Sequence, residues 1–315
     1  MPPGSLPPVL FGKLPDRADF VRQGGSPALD ALDTVTQRAL WPSPAVREGP
    51  LYRFVYNPPG GPHALAGALQ LSQDRVGREY PLIVGRPVDR RELDPGAAPS
   101  WPLRWEDVFD EAATIVRGAV VGHAPVADVQ ARVAALPPAA WAAGRSPAVD
   151  RHVRAAAALR ACDLFGCLPG GEAQGQLMLH RLAAIVRRPT VPGYGIRFAL
   201  PSPSDGFGRA DGVSFWLAAG AHLMRARPPW PTLFWTDGSG EGPGALFVFY
   251  GGLSSPALRS LLVGAADPDT VVDLDAAPDA ATRRTLSAGA SPFARLLADS
   301  HASAADILGR LHTLV

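Results

Sequence analysis

The chain has 315 residues, 47% of them hydrophobic and 19% charged; 30 Lys plus Arg against 29 Asp plus Glu leave a formal net charge of +1. That apolar content is enough to fill the core of one large domain or two modest ones and excludes a disordered chain. The balanced charge excludes a general electrostatic attraction to nucleic acid or acidic lipid.

Glycine and proline are abundant, 33 and 34 residues, which marks a loop-rich fold. Lys13 is the single lysine, so Arg supplies every other fixed positive charge. The opening MPPGSLPPVLFGK has no basic segment ahead of an apolar core, so no signal peptide is expected. The longest apolar run, Val213 through Ala221, is too short to span a bilayer, and a soluble cytoplasmic protein is expected.

In chain order, Val9 to Gly12 reads as a short strand. Ser26-Pro27 reads as an N-cap with proline at the first helical position, and Leu29, Leu32, Val35 and Ala39 follow on one helical face. Leu51 to Tyr56, Ala64 to Leu71 and Leu82 to Val88 read as a three-stranded meander. Its second connection, QDRVGREYP (Gln73 to Pro81), packs Asp74, Arg75, Arg78 and Glu79 into six positions. Trp105, Val108, Phe109, Ala112, Ile115, Val116 and Ala119 give a helical stripe. Further helices are expected over Val126 to Leu136, Val149 to Ala161, Leu177 to Val186 and Val213 to Met224. Strands are expected over Gly193 to Leu200, Thr232 to Trp235 and Ala245 to Tyr250. After Gly264 the character changes. Asp267 to Asp279 reads as an acidic connector, and a last helix begins near Ser303, with Asp306 placed for a capping-box-like pair. Strands before, helices between and strands after predict an α/β fold around a central mixed, largely antiparallel sheet flanked by helices on both faces, with a C-terminal helical extension.

Catalytic and metal signatures are missing from the sequence. The phosphate-loop pattern fails around Gly12-Lys13, where Pro7 and Leu14 occupy positions that need Gly and Ser or Thr. Gly206-Phe207-Gly208 lacks the third glycine of a dinucleotide fingerprint, and Gly238-Ser239-Gly240 lacks the flanks of a nucleophile elbow. The aspartates between Asp267 and Asp279 lack the turning glycine and closing Glu of a calcium loop. His152 and His180 fall on predicted helices and read as structural. Cys162 and Cys167 are not spaced C-x-x-C, and no second pair completes a zinc site; they read as small buried side chains, with a disulfide left open. No cofactor and no metal are expected.

Three clusters stand out: GKLPDRADF (Gly12 to Phe20), QDRVGREYP and FWTDGSG (Phe234 to Gly240). In the first, Asp19 is placed to cap a following helix and Phe20 to enter the core. In the second, a buried Arg–carboxylate clamp and a partner grip are both open. In the third, Asp237-Gly238 supplies hairpin geometry with Trp235 in the core.

Together these clusters resemble the TagF (ImpM-like) family associated with type VI secretion. Family members open with an aromatic residue and Gly-Lys-x-Pro-x-x-Gly-Asp-Phe, matched by Phe11 to Phe20 with Ala18 in place of a glycine. They continue with Pro-Ser-x-Asp-x-Val-Gly-Arg-x-Phe-Pro-Leu, matched by Leu71 to Leu82, and with Trp-Trp-Thr-Asp-Gly-Ser, matched by Phe234 to Ser239. Gly252-Leu253-Ser254 stands where the family has Gly-Leu-Pro. The match spans about Val9 to Val263, so a TagF-like domain over 9–263 and an extension over 264–315 are expected. The resemblance implies a sheet between helical layers, a three-layer sandwich. It further implies a non-enzymatic cytoplasmic repressor of type VI secretion whose partner is the forkhead-associated scaffold protein. Lys13, Arg17, Asp19, Asp74, Arg75 and Arg78 are then expected as a polar partner-binding cluster at one end of the sheet, joined by Trp235, Asp237 and Ser239. A different reading of Lys13, Asp74, Arg78, Asp237 and Ser239 is a small-anion or nucleotide pocket, possibly that of a hydrolase.

Overall fold

The computed structural model describes residues 6–41, 49–138, 147–166, 168, 170–186, 194–201, 207–224, 230–238, 244–264, 267–287, 292–299 and 301–311. Among them, strands β1 (Val9–Gly12), β2 (Val21–Gln23), β3 (Tyr52–Tyr56), β4 (His63–Gln73), β5 (Glu79–Asp89), β6 (Gly195–Ala199), β7 (Thr232–Thr236), β8 (Ala245–Phe249) and β9 (Val271–Asp273) form one sheet. Its order is β2-β1-β5-β4-β3-β7-β8-β6-β9. Every pairing is antiparallel except β6 with β9, so the sheet is mixed and largely antiparallel as expected.

The helices are α1 (Pro27–Ala39), α2 (Trp101–Arg104), α3 (Glu106–Val120), α4 (Val126–Ala134), α5 (Pro147–Ala158), α6 (Ala161–Gly166), α7 (Gly171–Val186), α8 (Arg209–Met224), α9 (Ser255–Val263), α10 (Ala280–Ser287), α11 (Pro292–Leu297) and α12 (Ala304–Leu311). They cover both faces, and strand periodicity decides which side chain meets which layer. Val9 and Phe11 face one core and Leu10 the other; Phe234 opposes Leu233 and Trp235; Phe247 and Phe249 oppose Leu246 and Val248. One core joins the sheet to α1 and α9. The second joins it to the larger layer that includes α3, α4, α8 and α12. The outcome is the three-layer arrangement that the sequence predicts.

Local signals account for the helix ends. Ser26 Oγ accepts from Leu29 N at 3.1 Å, and Pro27 opens α1. At α12, Asp306 N donates to Ser303 Oγ at 3.1 Å and Ser303 N donates to Asp306 Oδ2 at 2.9 Å, the expected reciprocal cap. Helix α9 was not foreseen. Ser254 Oγ accepts from Ala257 N at 3.3 Å, and Gly264 ends the helix in the left-handed region at φ 69°.

The acidic stretch read as a connector holds the ninth strand. Val271 to Asp273 pairs with β6, and Arg197 on β6 reaches Asp273 at 2.9 Å and Asp275 at 3.7 Å. Three residues with one buried apolar side chain carry no detectable alternation, which is why the strand was invisible. Of the two cysteines, Cys162 is a free thiol, and Cys167 lies outside the described residues. Among the described residues no helix is long and apolar enough to cross a membrane.

The face toward α1 and α9 is centred on Phe54, fully buried and stacked on Phe234 with ring centroids 5.8 Å apart. Phe54→Ala is expected to destabilise the chain by about 3–5 kcal/mol, read from the shift of the urea unfolding midpoint.

Candidate functional site

Pairing of β4 with β5 runs out to Gln73 opposite Glu79 and leaves Asp74 to Arg78 as the hairpin loop. Asp74 organises that loop with its own carboxylate. Oδ1 accepts from Val76 N at 3.0 Å and Arg78 N at 2.8 Å, while the Asp74 carbonyl accepts from Gly77 N at 2.9 Å. Gly77 sits at φ 83°, a region that favours glycine. Oδ2 accepts from Arg78 Nε at 2.8 Å and from Lys13 Nζ. Both Asp74 and Lys13 have buried side chains, 0% and 5% exposed. The single lysine therefore enters the interior to meet a buried carboxylate. Gly12 permits this. It lies at φ 137°, and a Cβ there would stand 2.1 Å from the Pro81 carbonyl oxygen.

The Asp16–Phe20 loop is latched onto the hairpin. Arg75 N donates to Arg17 O at 2.8 Å, and Arg78 Nη2 donates to Ala18 O. Asp19 stands 4.0 Å from Arg78 Nη2 with its side chain 98% exposed. Thus Lys13, Arg17, Asp19, Asp74, Arg75 and Arg78 come together at the end of β1 and the β4–β5 hairpin. Two expectations for this loop are corrected. Asp19 caps no helix, because the chain turns back at Val21 into β2, antiparallel to β1. Phe20 does not enter the core. It remains 47% exposed, stacked on Phe11 at 5.3 Å and edge-on to Tyr80 at 4.9 Å, with Lys13 Nζ 5.0 Å from its ring centroid.

Burial by itself raises the Asp74 carboxyl, but hydrogen bonds from Lys13, from the Arg78 amide and guanidinium and from the Val76 amide outweigh it. The group is held well below the usual carboxylate range.

A second cluster lies at the same end of the sheet. Arg53 on β3 bridges Asp237 at 2.5 Å, just beyond β7, and Asp110 of α3 at 2.9 Å. Burial alone would lower Arg53, but the two carboxylates reverse the sign and keep it charged. Trp235 is buried and meets Phe109 edge-on at 4.6 Å, as its core assignment predicts. These side chains line a cleft of about 380 Å³ that also takes in Arg209. Strand β3 stands between β4 and β7, and among the described residues no hydrogen bond or ion pair joins this cluster to Asp74. Trp235 and Asp237 therefore share an end of the sheet with the Lys13–Asp74 group without joining it. Ser239 lies outside the described residues.

A third polar group escaped the sequence. His152 Nδ1 meets Asp211 Oδ1 at 2.8 Å, and His152 Nε2 lies 3.4 Å from Ser214 Oγ. Ser214 donates to Pro99 O at 2.6 Å, and all three side chains are buried. The trio pins α5 and the Pro99 turn to α8, a structural use of His152. Asp211 and Ser214 share a helix face, but a partner 59 residues away in sequence left no local signal.

Residues 9–136 match the family model of the TagF N-terminal domain, type VI secretion system-associated. No curated protein matches the chain. Among solved structures, PA0076 from Pseudomonas aeruginosa PAO1 is 20% identical, with a TM-score of 0.45 over 82% of this chain and 96% of that one. The matched span contains the whole Lys13–Asp74–Arg78 group and excludes Trp235 and Asp237.

Asp74→Asn removes the counter-charge of a buried ammonium and is expected to cost about 3–5 kcal/mol at neutral pH. A depressed folded carboxyl contributes stability that is present above its unfolded value, about 3.9, and is lost as pH falls toward the folded value. The gap between wild type and Asp74→Asn in urea unfolding is therefore expected to hold from pH 8 to 5 and to narrow below about pH 4.

Proposed function

Since residues 9–136 match the TagF N-terminal domain, associated with type VI secretion, we propose that this chain is a TagF-like, non-enzymatic repressor of that secretion, acting in the cytoplasm by binding the forkhead-associated scaffold protein. The observation that carries the reading is how the charges of the matched motifs are used. Lys13, Asp74 and Arg78 satisfy one another, and Asp74 has all its strong donors supplied from within the protein. A group clamped in this way holds two loops in a fixed conformation and is poorly suited to shuttle a proton. What the clamped loops present outward is Arg17, Phe20, Arg75 and Val76, all exposed. Arginine and aromatic side chains dominate interface energetics. A regulator with such a face represses by mass action: binding one state of the scaffold draws it away from assembly.

Deletion of the gene is expected to raise the amount of secreted tube protein. A fall to background would identify a component of the machine and end the repressor reading.

One observation favours a second reading, a small-anion or nucleotide site in the Arg53–Asp237 cleft. Arg209 Nε is buried there with no hydrogen-bond partner among the described residues. A ligand at a hundred times its Kd would add about 2.7 kcal/mol of stability, so a thermal-shift panel of nucleotides and phosphorylated compounds decides it. Reproducible stabilisation, lost in Arg209→Ala, supports the site; an unmoved Tm across the panel removes it.

A further inference from the structure

The two latched loops carry both signs of charge on one rim. Asp16, Arg17, Asp19 and Arg75 are all exposed, carboxylates matching guanidiniums in number, so the rim is locally neutral. The other arginines here are engaged within the chain: Arg22 meets Asp30 at 2.8 Å, and Arg78 meets Asp74 at 2.8 Å with Asp19 beyond it at 4.0 Å. Arg75 N donates to Arg17 O at 2.8 Å, so both loops present their charges from one rigid base. Phe20, 47% exposed, and Val76, 62% exposed, stand out beside them. The residues from Asp16 to Arg22 and Arg75 also border a groove of about 650 Å³, lined in addition by Val126 and Gln130 of α4. Along it runs β2, the terminal strand of the sheet, whose outer edge pairs with no strand among the described residues.

We propose that this face docks a second copy of the chain about a two-fold axis, Phe20 and Val76 of each copy pressing on the groove of the other. A partner of a single sign would meet as many like charges here as opposite ones. A second copy escapes that penalty. A two-fold rotation sets Arg17 and Arg75 of one rim against Asp16 and Asp19 of the other and makes every contact twice. Identical surfaces associate in this way only where each carries both halves of the contact. This one holds apolar projections beside a groove and carboxylates beside guanidiniums. The bare edge of β2 adds backbone donors and acceptors of the kind a neighbouring chain pairs with. The backbone latch means that little loop entropy is lost on docking. The inference goes beyond the scaffold-binding reading and does not depend on it. Where both hold, the same face serves both partners, so the dimer and the scaffold complex compete by mass action.

The test is the solution mass of the full chain by analytical ultracentrifugation over a dilution series. Wild type is expected to pass from the chain mass to twice that mass as concentration rises, with weaker association at high salt. Two charge-reversed double variants, Arg17→Asp with Arg75→Asp and Asp16→Arg with Asp19→Arg, are each expected to stay monomeric, because like charges then face one another, with thermal unfolding unchanged. An equal mixture of the two is expected to recover the dimer, since opposite charges meet again. Val76→Glu is expected to weaken self-association of the otherwise wild-type chain at least about tenfold, about 1.4 kcal/mol. A wild type of monomer mass throughout, either double variant dimerising alone, a mixture that stays monomeric, or Val76→Glu without effect would overturn the proposal. None of these masses bears on the secretion count, which alone decides the repressor reading.

Discussion

The end of the sheet that carries the family motifs depends on one buried carboxylate. Taking Asp74 out of water costs several kcal/mol unless its oxygens are well satisfied. Here Oδ1 is met by two backbone amides of its own loop and Oδ2 by an ammonium and a guanidinium from different segments. Such a pair is weak evidence of net stabilisation, since an apolar substitute of the same shape can be as stable. What the arrangement does enforce is conformation. Any movement of the 12–20 loop away from the hairpin would strand a buried charge, and that penalty falls on every alternative geometry.

The same logic separates the charges that hold the fold from those available to a partner. Arg53 is divided between Asp110 and Asp237 and ties α3 to the ends of β3 and β7. Arg197 is taken up by Asp273 and Asp275. Lys13 and Arg78 close on Asp74. Other arginines, such as Arg86, Arg90 and Arg181, meet backbone carbonyls instead, and Arg17 and Arg75, which occur together, meet no carboxylate among the described residues. Exposed charge is common on any protein surface and carries no message by itself. These two guanidiniums and the exposed carboxylates Asp16 and Asp19, on a latched base beside an exposed phenylalanine, are a more specific combination.

Sheet and main helices were legible because burial on alternate sides writes itself into each strand. Phe54, Phe234 and Phe249 face one layer while Trp235, Leu246 and Val248 face the other, so period and composition agree. What stayed hidden depended on partners distant in sequence. Strand β9 exists because β6 lies beside it; His152 is placed by Asp211; Asp237 is engaged by Arg53 rather than by the hairpin cluster. The convergence of three motifs was half legible in this sense. Strand direction brings all three to one end of the sheet, but lateral order, which no local pattern encodes, puts β3 and β4 between Asp237 and the β1–β5 pair. The misplacement of Phe20 has a related cause. An apolar residue just after a helix cap reads as core, yet no helix follows: the chain enters β2, an edge strand, and a residue at its entry meets a layer on one side only. Helix α9 is different, since its cap and terminal glycine, Ser254 and Gly264, were both visible in the sequence.

The position of the C-terminal stretch limits how it can act on the proposed docking face. Its strand β9 closes the sheet at the edge opposite β2, eight strand spacings or on the order of 40 Å away along the sheet. Its other contacts go to the helical layer: Ala161 N donates to Ala302 O at 2.7 Å and Ala304 N to Leu159 O at 2.8 Å, so α12 braces the α5–α6 region against α8. A segment anchored there does not shield Arg17 or Phe20. Any influence of the tail on partner binding would have to pass through the intervening strands, whose packed aromatic layers resist small displacements. The family-matched residues 9–136 thus carry the face proposed to meet a partner, while the far edge and the tail complete the sheet that supports it.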